Sequence, residues 1–138
     1  MAHLYLLDTN TASDVMNRRS QAARHTLAKI GQSSTIAISS ISAAELRFGI
    51  RKRGSTRLQA AFADFCLSAE ILPWDDRVAV TYGELRYDLG RNGKTLHTMD
   101  LLIAAHAIAV DAVLVTRDNA FQYIRDFVPI ENWATDLN

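Results

Sequence analysis

Four carboxylates, Asp8, Glu45, Asp100 and Asp118, stand where an α/β sheet would put its chemistry. Asp8 follows a short apolar run at residues 3–7. Glu45 lies in the first helical turn after TIAIS (35–39), and Asp118 follows AVLVT (112–116). These three runs read as strands, the last without polar alternation, as a parallel strand covered on both faces does. Asp100 instead opens the apolar segment MDLLIAAHAIAV (99–110), which is long enough for a central helix. In open α/β sheets ligands bind beyond the carboxyl ends of the strands, so the spacing predicts one acidic cluster there. Like charges 4 Å apart repel by about 4 kcal/mol at an effective dielectric of 20, so the cluster requires a proton or a cation. Oxygen donors without cysteine, and without a histidine pair at ligand spacing, favour Mg²⁺ or Mn²⁺. Phosphodiester hydrolysis is the reaction such a site serves.

Each acid also has a local reading. A negative charge near a helix N-terminus is favoured by about 0.3–1 kcal/mol. Asp118 can cap the helix after it, Glu45 can complete a capping box with Ser42, and Asp100 can occupy a first turn. Asp8 has no such duty on this reading, because Thr11 and Asp14 supply a Thr-x-x-Asp cap of their own.

The elements that must position these residues alternate. Helices are expected from Ser42 to near Gly54, over 57–69 with a stripe of Leu58, Ala61, Phe62, Phe65 and Cys66, over 76–89, and over 99–110. Short strands are expected at 70–74 and 128–130, with a short helix ending near Arg125. No element is assigned between the first helix and the second strand. The pattern is α/β, a sandwich with a mainly parallel sheet.

At 138 residues the chain fits one domain, 1–138. Fifteen basic and fifteen acidic side chains cancel, which excludes a globally basic nucleic-acid binder. Residues 1–70 carry nine basic and five acidic groups, against six and ten in 71–138. Within 47–57, Arg47, Arg51, Lys52, Arg53 and Arg57 occur without one carboxylate. That run reads either as a solvated helix C-terminus or as a phosphate-contacting patch. The lone Cys66 allows no internal disulfide and reads as a small buried hydrophobe, which suits a cytoplasmic location. The longest apolar run, 101–105, is far short of a membrane span, which excludes a membrane partner. His106 reads as a core or helix-surface histidine rather than a catalytic one, and Trp74 and Trp133 as core or interface anchors.

LLDTN (6–10), SAAELRFG (42–49), MDLLIAAHA (99–107) and LVTRDNAF (114–121), in this order, resemble the PIN-domain ribonucleases, most closely the VapC toxins of type II VapBC toxin–antitoxin pairs. The resemblance covers essentially the whole chain and implies a PIN-like three-layer sandwich. It implies that Asp8 and Asp100 are the principal Mg²⁺ ligands, with Mn²⁺ as a substitute. Glu45 would orient or activate water, and Asp118 would complete the pocket or a second metal site. Thr116 would place a hydroxyl at the pocket wall, and Asn10 would hold the turn after Asp8. The implied protein is a homodimeric endoribonuclease toxin that cuts structured RNA, commonly transfer RNA. A VapB-type antitoxin would neutralise it, and operator DNA would be reached only through that complex. RNA would be held by Arg47, Arg51, Lys52 and Arg53. Two other readings are a Mg²⁺-dependent phosphotransfer module and a catalytically silent PIN-fold binding protein. The first lacks its motifs, since Asp8-Thr-Asn10 is no Asp-x-Asp, and the second requires a missing acid.

Overall fold

The computed structural model describes residues 3–137. Its sheet is five-stranded and parallel, in the order β3-β2-β1-β4-β5. The strands are β1 (Leu4–Leu7), β2 (Thr35–Ser39), β3 (Glu70–Leu72), β4 (Val113–Val115) and β5 (Ile130–Glu131). Helices α1 (Thr9–Met16) and α2 (Gln21–Ile30) join β1 to β2, and α3 (Ser40–Arg53) and α4 (Thr56–Phe65) join β2 to β3. Next come α5 (Asp76–Arg91) and α6 (Thr98–Ala109), which precede β4, and a 3-10 helix (Asn119–Ile124) leads to β5.

Strand residues alternate between two cores, as the two-residue period of a strand requires. Leu6, Ala37 and Leu114 pack with Leu85, Ile103 and Phe121 on one face. Tyr5, Leu7, Ile36, Ile38 and Val115 pack with Ala12, Phe65 and Trp133 on the other. With helices on both faces the expected three-layer α/β sandwich is what forms. Helix α6 is buried through Leu101, Ile103, Ala104, Ala105 and Ala107, and its alanines let it lie close to the sheet. None of the described helices is long and apolar enough to cross a membrane. Phe121 is wholly buried and anchors the 3-10 helix that Asp118 caps. Phe121→Ala is expected to lower stability by about 3–5 kcal/mol, read as a lower urea midpoint with an unchanged slope.

Several local expectations change. Asp8 itself caps α1, its Oδ1 accepting from the Thr11 amide at 2.8 Å, whereas Thr11 and Asp14 are buried. Ser39, not Ser42, caps α3, and Gly54 ends that helix with φ 59°, the left-handed conformation glycine adopts without strain. Residues 66–68 are a turn outside α4, Ala69 belongs to no element, and β3 stops at Leu72. Gly90 stays inside α5, with the turn deferred to Gly93. The last strand begins at Ile130, and Val128 before it packs into the core outside the strand. Helix α2 occupies a stretch given no element. Ser20 caps it, accepting from the Ala23 amide, and Ala23, Leu27 and Ile30 form its inward stripe. Cys66 is half-buried rather than buried, and burial pushes its thiol up.

Candidate active site

The strand order reverses at β1, whose neighbours β2 and β4 lead the chain to opposite sides. A crevice opens at such a switch point, beyond the carboxyl ends of the two strands. Here it lies past Leu7 and Val115, where the Asp8 amide still donates to the Val115 carbonyl at 3.0 Å. A cleft of about 320 Å³ at this point is lined by Asp8, Asn10, Arg117, Asp118 and Asn119.

Asp8 is 6% exposed, and both its oxygens are held. Oδ1 accepts from the Thr11 amide, and Oδ2 accepts from the Thr116 hydroxyl at 2.6 Å. The same Thr116 oxygen accepts from the Asp118 amide at 3.0 Å, so one hydroxyl ties the first acid to the fourth. Asp118 is exposed and caps the 3-10 helix through the Ala120 amide. Burial, reinforced by the Asp118 charge, pushes the Asp8 carboxyl above its ordinary range, against the pull of the Thr116 and Thr11 hydrogen bonds.

Asp100 sits half-buried in the first turn of α6. Its carboxyl is also pushed up, first by burial and then by the charges of Asp118, Asp8 and Glu45, with His97 opposing. All three other acids are therefore close enough to act on it. Glu45 reaches the site from α3, and Thr9 holds it. The Thr9 hydroxyl lies 2.9 Å from both Glu45 Oε1 and Ser42 Oγ. Nothing in the capping pattern singled out Thr9. Its signal is adjacency to Asp8 at the head of α1.

None of these four acids has a cationic ion-pair partner among the described residues, where both ion pairs belong to Asp14. Nor, among those residues, are three acidic, thiol or imidazole groups drawn together tightly enough to cage a metal ion unaided. The donor set is oxygen only. It can serve a hard cation that keeps much of its own water and takes few protein oxygens.

Other sequence candidates fall elsewhere. Asn10 does not hold the turn after Asp8: it lies exposed in the first turn of α1, lining the cleft, while Asp8 makes the cap. Arg51, Lys52 and Arg53 form the last turn of α3, about 9–12 Å along the helix from Glu45 at 1.5 Å per residue. They flank the site without lining its cleft. Arg47 lies over the Phe62 ring at 5.1 Å and packs α3 on α4. His106 is fully buried, with Nδ1 2.8 Å from Ser39 Oγ, and burial lowers its pKa. Trp133 is core, against Tyr5, while Trp74 is half-buried and donates from Nε1 to the Leu102 carbonyl. Sequence reading also missed Asp14, a buried carboxylate on α1 that binds Arg19 and Arg117.

A parallel five-stranded sandwich with unpaired acids at its switch point defines a class, and comparison with known families agrees with it. The family model of the PIN domain matches residues 5–126, and the chain belongs to that family, in its VapC branch. It is similar to ribonuclease VapC2 of Rickettsia felis, 37% identical over 132 residues, covering 94% of this chain and 98% of that protein. It is also similar to the tRNA(fMet)-specific endonuclease VapC of Salmonella typhimurium, 30% identical over 136 residues, with 94% and 98% covered. Among solved structures, VapBC2 from Rickettsia felis bound to a promoter DNA fragment superposes with a TM-score of 0.86 at 36% identity, covering 94% of this chain and 98% of that one. DNA-bound VapBC from Salmonella typhimurium gives 0.81 at 29% identity, with 96% and 99% covered.

Proposed function

We propose that this VapC-family ribonuclease is a Mg²⁺-dependent endonuclease, with Mn²⁺ as a substitute, and acts as the toxin of a toxin–antitoxin pair. The observation that carries the reading is the set of acids at the strand ends and the head of α6, in which Asp8 and Asp100 are held above the ordinary carboxylate range without an ion-pair partner among the described residues. A desolvated, mutually repelling set of carboxylates favours whatever brings positive charge to it.

Asp8 and Asp100 would hold the ion, with Asp118 beside them. When bound, such an ion lowers the pKa of water and neutralises charge on the phosphate and the leaving oxygen. The chain's own residues do the rest. Thr116 and the Thr11 amide fix the orientation of Asp8. Thr9 holds Glu45 Oε1, which leaves Oε2 to orient the attacking water and take its proton. Asn10 and Asn119, exposed in the cleft, offer amides to the sugar–phosphate backbone.

The substrate would be structured RNA of the transfer-RNA class, a reading supported by the specificity named for the Salmonella relative. A VapB-type antitoxin would neutralise the enzyme, and operator DNA would be met only through that complex, in keeping with the DNA-bound VapBC neighbours. The toxin would act in the cytoplasm as a homodimer.

Chelation tests the metal dependence directly. EDTA is expected to stop cleavage of a tRNA transcript by the purified protein, and excess Mg²⁺ or Mn²⁺ to restore it. Cleavage that persists under chelation would reject the mechanism.

A further inference from the structure

Asp14 has no exposed surface, yet it is a carboxylate. A buried charge is costly unless paired, and one arginine would suffice. Asp14 binds two. Arg19 Nε lies 2.9 Å from Oδ1, and Arg117 Nε lies 2.7 Å from Oδ2, with Arg117 Nη2 a further 3.4 Å from Oδ1. The trio therefore carries one positive charge more than its burial requires.

The place of that excess is what gives it meaning. Arg117 stands between Thr116, which holds Asp8, and Asp118. Its side chain is 38% exposed and lines the cleft with those two acids. A guanidinium has five N–H donors, and Asp14 engages only Nε and one Nη. The bond to Asp14 first, and then the fields of Asp14, Asp8 and Asp118, stabilise its charged form. A polyanion approaching this edge meets carboxylates, so a fixed cation is needed to receive it. Arg117 has already been ordered by Asp14, so a second hydrogen bond costs little further side-chain entropy.

We infer that Arg117, clamped on Asp14, binds a phosphodiester oxygen of the RNA substrate at the acid-lined cleft. The inference rests on the ribonuclease reading above. It makes Asp14 a positioning residue and gives the neutral chain a local phosphate contact at the cleft itself, distinct from the basic end of α3.

The test uses full-length Asp100→Asn protein in EDTA, so that a tRNA transcript is bound but not cut, with affinity measured between 50 and 200 mM KCl. Arg117→Gln is expected to bind about tenfold more weakly at 100 mM, and its log–log salt slope to be shallower by about 1. Arg117→Lys keeps an ammonium for Asp14 but has no remaining fork of donors, so it is expected to fold and to show the same loss. With Arg117 intact, its Nη resonances are expected to shift on adding the transcript, a readout that needs no substitution there.

Parental affinity and slope in either folded variant, or Nη resonances unmoved at saturating RNA, overturn the assignment. So does a loss of thermal stability in Arg117→Gln with no change in salt slope, which would mark the arginine as purely structural. Cleavage by the unsubstituted protein in Mg²⁺ separates this inference from the reading beneath it. If that protein cleaves while the Arg117 variants bind normally, only the phosphate contact falls. If it fails to cleave yet binds through Arg117, the ribonuclease reading falls and the contact stands.

Discussion

Asp8→Asn is expected to abolish RNA cleavage, by more than about 100-fold, while raising the thermal stability of the metal-free protein. The first effect follows from removing a carboxylate central to the proposed metal site, since even the supporting partners of metal ligands are worth about 10–100-fold. The second follows from desolvation. The Asp8 carboxyl is raised mainly by burial, so the folded chain binds its proton more tightly than the unfolded chain does. That contribution to stability is fully present below the unfolded aspartate pKa, roughly 3.9, and is lost as pH rises through the raised folded value. The penalty on the ionised form in the metal-free protein therefore grows as the pH rises from 4 toward neutrality. Asparagine keeps the shape and an oxygen for the Thr11 amide, and its amide nitrogen can donate to the Thr116 hydroxyl, which has a second lone pair for the Asp118 amide. In EDTA at pH 7 the variant should melt higher, by roughly 4 °C for each 1 kcal/mol relieved in a domain of this size. The gap should shrink toward pH 4. Mg²⁺ should then raise the melting temperature of the parent and not of the variant, since only a ligand that binds the native state stabilises it. A variant that still cleaves, or that melts lower than the parent by the same amount at every pH, contradicts the assignment. Asp100→Asn should match the loss of cleavage with a smaller gain in stability, because Asp100 is only half-buried.

Asp8 and Asp118 were legible because each stands where an apolar run ends and a helix begins, whereas Asp100 opens an apolar helix and Glu45 lies inside α3. Strand ends in a parallel sheet share one edge, so reading the strands brings Asp8 and Asp118 to one cleft, while Asp100 and Glu45 come from helices. What stayed hidden depends on which side chain satisfies which backbone group. Asp8 seemed free of local duty because Thr11 and Asp14 matched a capping pattern, yet Asp8 makes the cap and Asp14 turns inward to two arginines. The pattern constrains spacing along one helix. The Asp14 to Arg117 bond spans 103 residues and depends on β1 and β4 being neighbours, which spacing does not encode. Helix α2 went unassigned for a different reason. Arg24, His25 and Lys29 leave its apolar stripe at Ala23, Leu27 and Ile30 narrow, and the Ser20 cap is locked by Asp136 from the far end of the chain. The basic run at 47–57 was visible at once, yet its chemistry divides in space: Arg47 packs on Phe62, while Arg51, Lys52 and Arg53 remain at a solvated helix end.

Thr116→Val is expected to lower cleavage by about 10–100-fold and to move its acidic limb to higher pH. Valine reproduces the threonine shape but deletes a hydroxyl that both donates to Asp8 Oδ2 and accepts from the Asp118 amide. Losing the donor leaves a buried oxygen unpaired, a cost of about 1–3 kcal/mol that should lower the urea midpoint. The sign of the pH effect is set by which form of Asp8 the bond favours. A donated hydrogen bond stabilises the carboxylate, so Thr116 holds down a carboxyl that burial pushes up. Without it the carboxyl rises further, and a higher pH is required to reach the ionised, ion-holding form. Thr116→Ser, which retains the hydroxyl, should keep the parental profile at slightly lower stability. A rate reduced equally at all pH values would mean that the hydroxyl only packs the strand end. A displaced limb restored by serine would mean that the chain uses this one hydrogen bond to keep a desolvated carboxylate charged near neutral pH.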